Sequence, residues 1–315
     1  MYKITNVDIK NNKITVMDTV TGIPSVMTRG EVLDAQDMGF NILGVLENGQ
    51  MVVFDTWFNL RKLSSDAVEC RCICRDVENR VCDSLETNGK VMLYGTFEGN
   101  ADHLFGNIIG NIDITYFDIS KVKNMRYMFS YFTGEIKGMK KMNTSSATDM
   151  RGMFKGANSV VDISSFNLGK IHFINTMFQG FSGKILGTEA VNVGNITNFG
   201  GMFQKCNVPL LDLSTWENRK KAGYRVMFSS CKIGTLRLGK LCKPVCITDM
   251  FKECSIDILD MRGTRIFSDV DLVDVISIFS MGKVGKLVYD DSCFSCDIER
   301  AFRGSSYIGS FEKSI

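Results

Sequence analysis

Six segments in the middle of the chain repeat one another: NMRYMF from Asn124, DMRGMF from Asp149, FINTMF from Phe173, NFGGMF from Asn198, GYRVMF from Gly223 and ITDMF from Ile247. Their Met-Phe pairs fall at 128/129, 153/154, 177/178, 202/203, 227/228 and 250/251, which is 23 to 25 residues apart. A fixed period of this length is the mark of short units stacked into a solenoid, and it argues against a fold built around a single pocket.

Within a unit the apolar residues stand at i, i+3, i+4 and i+7, as in Met125, Met128, Phe129 and Phe132, or Tyr224, Met227, Phe228 and Cys231. That spacing predicts a short helical turn with one buried face. About ten residues later a second apolar group alternates, as in Val161/Ile163, Leu211/Leu213 and Leu236/Leu238, and predicts a short strand. No unit can bury these residues alone. The predicted fold class is therefore α/β, a solenoid with one parallel sheet and a wall of short helical turns. Weaker copies extend it upstream (Ala101, Leu104, Phe105, Ile108) and downstream (Val275, Ile278, Phe279, Gly282, then Ile298, Ala301, Phe302, Ser305). Ile185 to Val193 fits the register poorly, and an irregular stretch or a bulge is expected there.

The period, the Met-Phe pair and a following Asp-apolar-Ser strand (Asp118-Ile119-Ser120, Asp162-Ile163-Ser164, Asp212-Leu213-Ser214) together resemble the BspA-like leucine-rich repeats of bacterial surface proteins and lipoproteins. The resemblance covers about residues 101–266. It implies a leucine-rich-repeat solenoid with a binding role and brings no catalytic residues with it.

Residues 1–60 read as a small α+β domain. Strands are expected over Tyr2 to Asp8 and Lys13 to Val20 around Asn11-Asn12, with a second hairpin from Ile42 to Leu46 and Met51 to Phe54. A capping box at Thr28 and Glu31 predicts a helix near Arg29 to Met38. Residues 61–100 are read as connecting strands and an N-terminal cap, with strand at Val68 to Cys74 and Val91 to Tyr94, and residues 267–315 as the C-terminal cap.

The net charge of +2 conceals a polarity: residues 1–95 carry 10 Lys/Arg against 13 Asp/Glu, residues 96–266 carry 22 against 14, and residues 267–315 carry 5 against 8. The solenoid is basic and both ends are acidic. The densest cluster is Arg219, Lys220, Lys221, Arg225, Lys232, Arg237, Lys240 and Lys243, the candidate partner-binding residues. Asp113, Asp162, Asp212 and Asp260 are the alternative surface residues. Met1 opens directly into strand-like sequence with no basic segment followed by an apolar one, and no run of 18 apolar residues occurs, so a cytoplasmic protein without membrane contact is expected.

Catalytic chemistry finds little support. The two histidines, His103 and His172, lie far apart in the repeat array and outside any nucleophile motif. Gly234 to Leu241 mimics a phosphate-binding loop but has Leu241 where Ser or Thr should hold magnesium. Cys206, Cys231 and Cys254 take the i+7 slot of consecutive units and read as a ladder of small core residues, with all eleven cysteines free thiols. Cys70, Cys72 and Cys74 alternate along a strand with Cys82 nearby, Cys242 and Cys246 are four apart, and Cys293 and Cys296 form a lone CxxC; these read as structural thiols, with no metal and no cofactor.

The sequence thus predicts a non-enzymatic protein that binds a large protein or ribonucleoprotein with an acidic surface. A phage- or mobile-element-encoded inhibitor that blocks an intracellular bacterial complex, in an anti-CRISPR-like manner, is the leading expectation. Direct binding of RNA or DNA by the basic solenoid and adhesion at a cell surface after export are the alternatives.

Overall fold

The computed structural model describes residues 2–8, 13–18, 23–28, 44–45, 51–54, 60–62, 67–69, 90–97, 99–241, 244–265, 278–293 and 307–314. The chain forms two compact units, Met1–Val68 and Glu69–Ile315. In the first, β1 (Tyr2–Asp8), β2 (Lys13–Asp18) and β3 (Pro24–Thr28) make an antiparallel sheet in that order. A second antiparallel sheet joins β4 (Gly44–Val45), β5 (Met51–Phe54) and β6 (Leu60–Lys62). Both expected hairpins are present, while the helix expected near Arg29 to Met38 lies outside the described residues. Strand β7 (Ala67–Glu69) spans the division between the units.

The second unit is a parallel β-solenoid. Strands β8 (Lys90–Thr96), β9 (Asn111–Asp118) and β10 (Ile136–Lys137) lie side by side, followed by the pair β11 (Val160–Asp162) and β12 (Lys184–Leu186). Then β13 (Asn207–Asp212), β14 (Ala222–Gly223), β15 (Lys232–Arg237), β16 (Pro244–Cys246), β17 (Ser255–Asp260), β18 (Lys283–Tyr289) and β19 (Tyr307–Lys313) complete the array. In it β13-β15-β17-β18-β19 form one parallel sheet, and β14 pairs with β16 on another side of the coil. Each coil runs turn, strand, loop and back to the turn.

The strand stacks in exact step: Val208, Ile233, Ile256, Val284 and Ile308 form one row, and Leu211, Leu236, Leu259, Leu287 and Phe311 another. All members of both rows from β13 to β18 are buried. The expected irregularity after Ile185 is present in that β12 ends at Leu186 and does not join the sheet that begins at β13; a three-residue 3-10 turn at Thr188–Ala190 follows it, as the turn Met139–Lys141 follows β10.

The helical wall is a misreading. In the six central units the i, i+3, i+4, i+7 side chains do point inward, and every Met-Phe pair is buried, but among the described residues the only helical elements are the 3-10 turns Met139–Lys141 and Thr188–Ala190; Val275, Ile298, Ala301, Phe302 and Ser305 of the downstream copies lie outside the described residues. The Met-Phe segment is a chain of tight turns instead. Met128, Ser130 and Phe132 donate back three residues to the carbonyls of Met125, Tyr127 and Phe129. The intervening Met125, Tyr127, Phe129 and Tyr131 donate to the carbonyls of Asp149, Arg151, Met153 and Lys155 in the next coil.

An α-helix spends every N–H on the carbonyl four residues back and leaves none for a neighbour. Here alternate N–H groups hold the coil and the others hold the stack. The backbone achieves this by turning left-handed just before each Met and again four residues on: Tyr127 (φ 51°), Thr176 (60°) and Val226 (50°) at the first position, Tyr131 (55°), Lys205 (59°) and Ser230 (56°) at the second. Gly152, Gly156, Gly180 and Gly201 take these same positions in other coils. The turns stack as closely as strands do, so Phe129, Phe154, Phe178, Phe203, Phe228, Phe251 and Phe279 form a column of parallel rings with centroids 4.8 to 5.6 Å apart.

Candidate binding face

The three sides of the coil treat charge differently. On the strand side the carboxylates are paired with cations of the same or a neighbouring coil, while Lys184, Lys232 and Lys283 stand exposed without an ion pair among the described residues. Lys137 meets Asp113 at 2.9 Å, Lys140 meets Asp162 at 3.5 Å and Arg237 meets Asp212 at 2.8 Å. Arg262 meets Asp260 at 2.6 Å, and Lys286 pairs with Glu312. Each of Asp162, Asp212 and Asp260 also accepts the backbone N–H two residues on, closing the corner after the strand. Burial alone would raise the pKa of Asp212, but hydrogen bonds from Ser214 and Arg237 outweigh it and hold the carboxyl below its ordinary value. Asp113, Asp162 and Asp260 are lowered in the same way: burial opposes, and the Lys137, Ser164 and Arg262 contacts win. These four carboxylates are bound up in the framework.

The loop side, between the end of each strand and the next turn, is different. Lys123, Lys170, Arg219, Lys220, Lys221 and Lys240 stand there exposed, and none makes an ion pair among the described residues. The loops between them present Asn143, Ser145, Thr148, Asn192 and Asn195 to solvent. Backbone bonds fix their order: Thr148 donates to the Lys123 carbonyl, Asn195 reaches the Gly169 carbonyl through its side chain, and Arg219 donates to the Gly194 carbonyl. A parallel backbone bridge joins Glu217 to Lys240 in the adjacent coil. Glu189 and Glu217 are exposed acids on this side.

The eight residues picked out by charge density therefore divide. Arg219, Lys220, Lys221 and Lys240 come together on the loop face. Arg225 lies at the start of a turn, Lys232 opens β15 beside Asn207 and Ser255, and Arg237 is held by Asp212 at the far end of that strand. Lys243 lies outside the described residues. Lys123 and Lys170, which complete the face, lie outside the dense run from Arg219 to Lys243, so charge density along the chain passes over them; aligning the loops by the Met-Phe period finds them.

No catalytic arrangement emerges from the other residues considered. His103 stands by Asp102 at 3.1 Å in the first coil, and His172 contacts the Asn195 carbonyl at 3.2 Å on the loop face. Gly234 to Arg237 belong to β15, and Gly239 packs against the backbone of Leu213 and Trp216, so the glycines of the apparent phosphate loop serve the stacking of coils. Cys206, Cys231 and Cys254 are buried free thiols in one column. The Cys231 thiol is pushed well above its ordinary pKa by its hydrogen bond to Cys206 and by burial, and burial pushes Cys254 up to about 12. Cys293 is buried, while Cys70, Cys72, Cys74, Cys82, Cys242 and Cys296 lie outside the described residues. Among the described residues, no three side chains of the metal-binding kinds converge. None of their helices is long and apolar enough to cross a membrane.

Fold and surface together define a repeat protein whose coils share one core and offer long faces. Residues 96–216 and 186–240 match a family described as Mycoplasma protein of unknown function, DUF285. Both segments fall within the solenoid, and their overlap is what an internally repeated sequence produces. The chain is similar to that family over these coils, and the likeness fits the BspA-like repeat class at the level of a repeat solenoid. No curated protein and no solved structure matches the chain.

Proposed function

We propose that the chain is a non-enzymatic binding protein that holds the acidic surface of a large protein or ribonucleoprotein against the loop face of its solenoid. The observation that carries this reading is the set of exposed cations without ion pairs at Lys123, Lys170, Arg219, Lys220, Lys221 and Lys240, gathered on one face of a molecule whose strand-side carboxylates Asp113, Asp162, Asp212 and Asp260 are already paired. A rigid stack presents such a row without having to order it on binding, and charge of one sign speeds encounter with an opposite surface. Occlusion of an intracellular bacterial complex, as by a phage-encoded anti-CRISPR-like inhibitor in the cytoplasm, is the narrow form of this proposal. It requires a broad complementary surface and no chemistry.

The test is affinity purification of the full chain and of the K170E/R219E/K220E/K221E variant from host extract, each with and without nuclease, followed by association kinetics on the recovered partner. The reading expects a partner retained by the native chain, with the variant associating at least ten-fold more slowly and with a flatter dependence on salt. Equal association rates and salt response for the two would remove the loop face from consideration.

A further inference from the structure

The turn face of the first coils carries a second cluster, of aromatic rings among cations. Tyr127 and Tyr131 both sit on left-handed backbone, and their N–H groups donate to the carbonyls of Arg151 and Lys155 at 3.0 and 2.6 Å. Those two bonds bring the cationic side chains of the next coil beside the tyrosines. The Arg126 guanidinium lies 5.6 Å from the centre of the Tyr127 ring and the Lys155 ammonium 6.0 Å from it. His103 stacks on Tyr127 at 4.7 Å. The next coil has Gly152 and Gly156 at the two matching positions, where a Cβ would overlap the Tyr127 and Tyr131 rings. The rings therefore lie down over bare backbone, and Tyr131 remains 53% exposed.

Arg126 and Lys155 thus flank the Tyr127 ring, and Arg151 joins them through Asp149, the carboxylate that Arg126 and Arg151 share. Lys155 makes no ion pair among the described residues. The cluster also adjoins the basic face, because Lys123 precedes Arg126 by three residues in the same coil. A single strand of nucleic acid uses both rings and cations, since unpaired bases stack on aromatic faces while phosphates take the cations.

We infer that this cluster binds single-stranded nucleic acid, with a base on the outer face of Tyr131 and its flanking phosphates on Lys155, Arg126 and Arg151. The inference rests on the binding role proposed above and specifies an unpaired nucleic-acid strand as a ligand of the chain.

The experiment is fluorescence anisotropy of the full chain with a labelled oligouridylate of about 15 nucleotides, a duplex of equal length, and polyglutamate as competitor. We expect Y131A to bind the single strand about ten-fold more weakly, Y131F to bind like the native chain, and the duplex to bind more weakly than the strand. Photo-cross-linking of an iodouridine oligonucleotide, with the adduct mapped to the peptide containing Tyr131, gives the same answer without a substitution. Unchanged affinity of folded Y131A, a duplex bound as tightly as the strand, polyglutamate competing as well as unlabelled oligouridylate, or adducts confined to other peptides would each overturn the inference. The loop-face reading fails separately, through the K170E/R219E/K220E/K221E variant, and survives any of these results.

Discussion

Replacing Gly201 by alanine separates the turn architecture from a helix by the sign of its effect. Gly201 lies at φ 61° just before Met202, and a Cβ built there meets nothing closer than Gln204 Oε1 at 3.5 Å and Thr176 Cγ2 at 3.6 Å. The substitution is thus free of steric conflict and tests backbone conformation alone. In a helix, alanine for glycine would gain about 1 kcal/mol. On left-handed backbone the new Cβ crowds its own carbonyl at a cost of about 1–2 kcal/mol, partly offset by the smaller entropy of the unfolded chain, about 0.4–1 kcal/mol. The net expectation is a loss of about 1 kcal/mol. Trp216 reports on the same coil, with its ring 6.2 Å from Phe199 and 6.3 Å from Phe203. In a W57F background its fluorescence follows urea unfolding of the solenoid. At a slope of about 2–3 kcal/mol per molar, the midpoint should fall by about 0.3–0.5 M. A midpoint that rises would refute the tandem-turn account of the Met-Phe segment.

Removing a ring from the phenylalanine column is the harsher perturbation: Phe203→Ala deletes a buried side chain stacked at 5.6 Å on both Phe178 and Phe228, and should cost about 3–5 kcal/mol in the same titration, whereas a loss under 1 kcal/mol would mean the column does not hold the coils together. Cys206, Cys231 and Cys254 should resist a thiol-specific reagent in the folded protein, because all three are buried and the latter two are held protonated, and should react fully in denaturant without prior reduction. Rapid labelling of any of them in the native state would show that the core opens locally. Acid should destabilise the solenoid in a defined window. Asp113, Asp149, Asp162, Asp212, Asp260 and Asp290 all have lowered pKa values when folded, burial opposing and hydrogen bonds prevailing. Their contribution is complete above the unfolded value of about 3.9 and disappears as pH falls through the lower folded values. Thermal midpoints should therefore be flat in this respect down to about pH 4 and drop below it, and a drop centred near pH 6 would contradict the assignment.

The apolar pattern was legible because burial is a property of side-chain direction, which both a helix and a chain of tight turns repeat at i, i+3, i+4 and i+7. Buried positions such as Met128, Phe129, Leu211 and Leu236 follow from spacing alone. What spacing does not encode is where the N–H groups go. The clue lay in Gly152, Gly156, Gly180 and Gly201, which fall at two fixed places in the supposed helix, where glycine is costly and left-handed backbone favours it. Tyr127, Thr176 and Val226 fill the same places in other coils and hide the pattern, since their left-handed backbone is imposed by bonds to the next coil. The surface was less legible still. Charge density along the chain gathered Arg225, Lys232 and Arg237 with the loop residues, although the coil carries them to other sides, and it passed over Lys123 and Lys170.

The periodicity that hides the loop face also explains how the molecule tolerates it. Neighbouring coils are about 4.8 Å apart, so like charges in adjacent coils would face one another at close range, and the strand side avoids this by alternating sign, as in Asp212, Arg237 and Asp260. The loop side follows a different rule. Lys123, Lys170 and the Arg219 to Lys221 group stand two coils apart, with Asn143, Ser145 and Thr148, then Asn192 and Asn195, in the coils between them. Two steps of the stack are about 9.6 Å, longer than the screening length of about 8 Å at physiological ionic strength. Repulsion between Lys123, Lys170 and the Arg219 to Lys221 group is therefore damped in the free protein, while Lys240 stands one coil beyond that group, bridged through its backbone to Glu217. A partner that excludes water and salt from the face meets the cations together, at a spacing the backbone already holds.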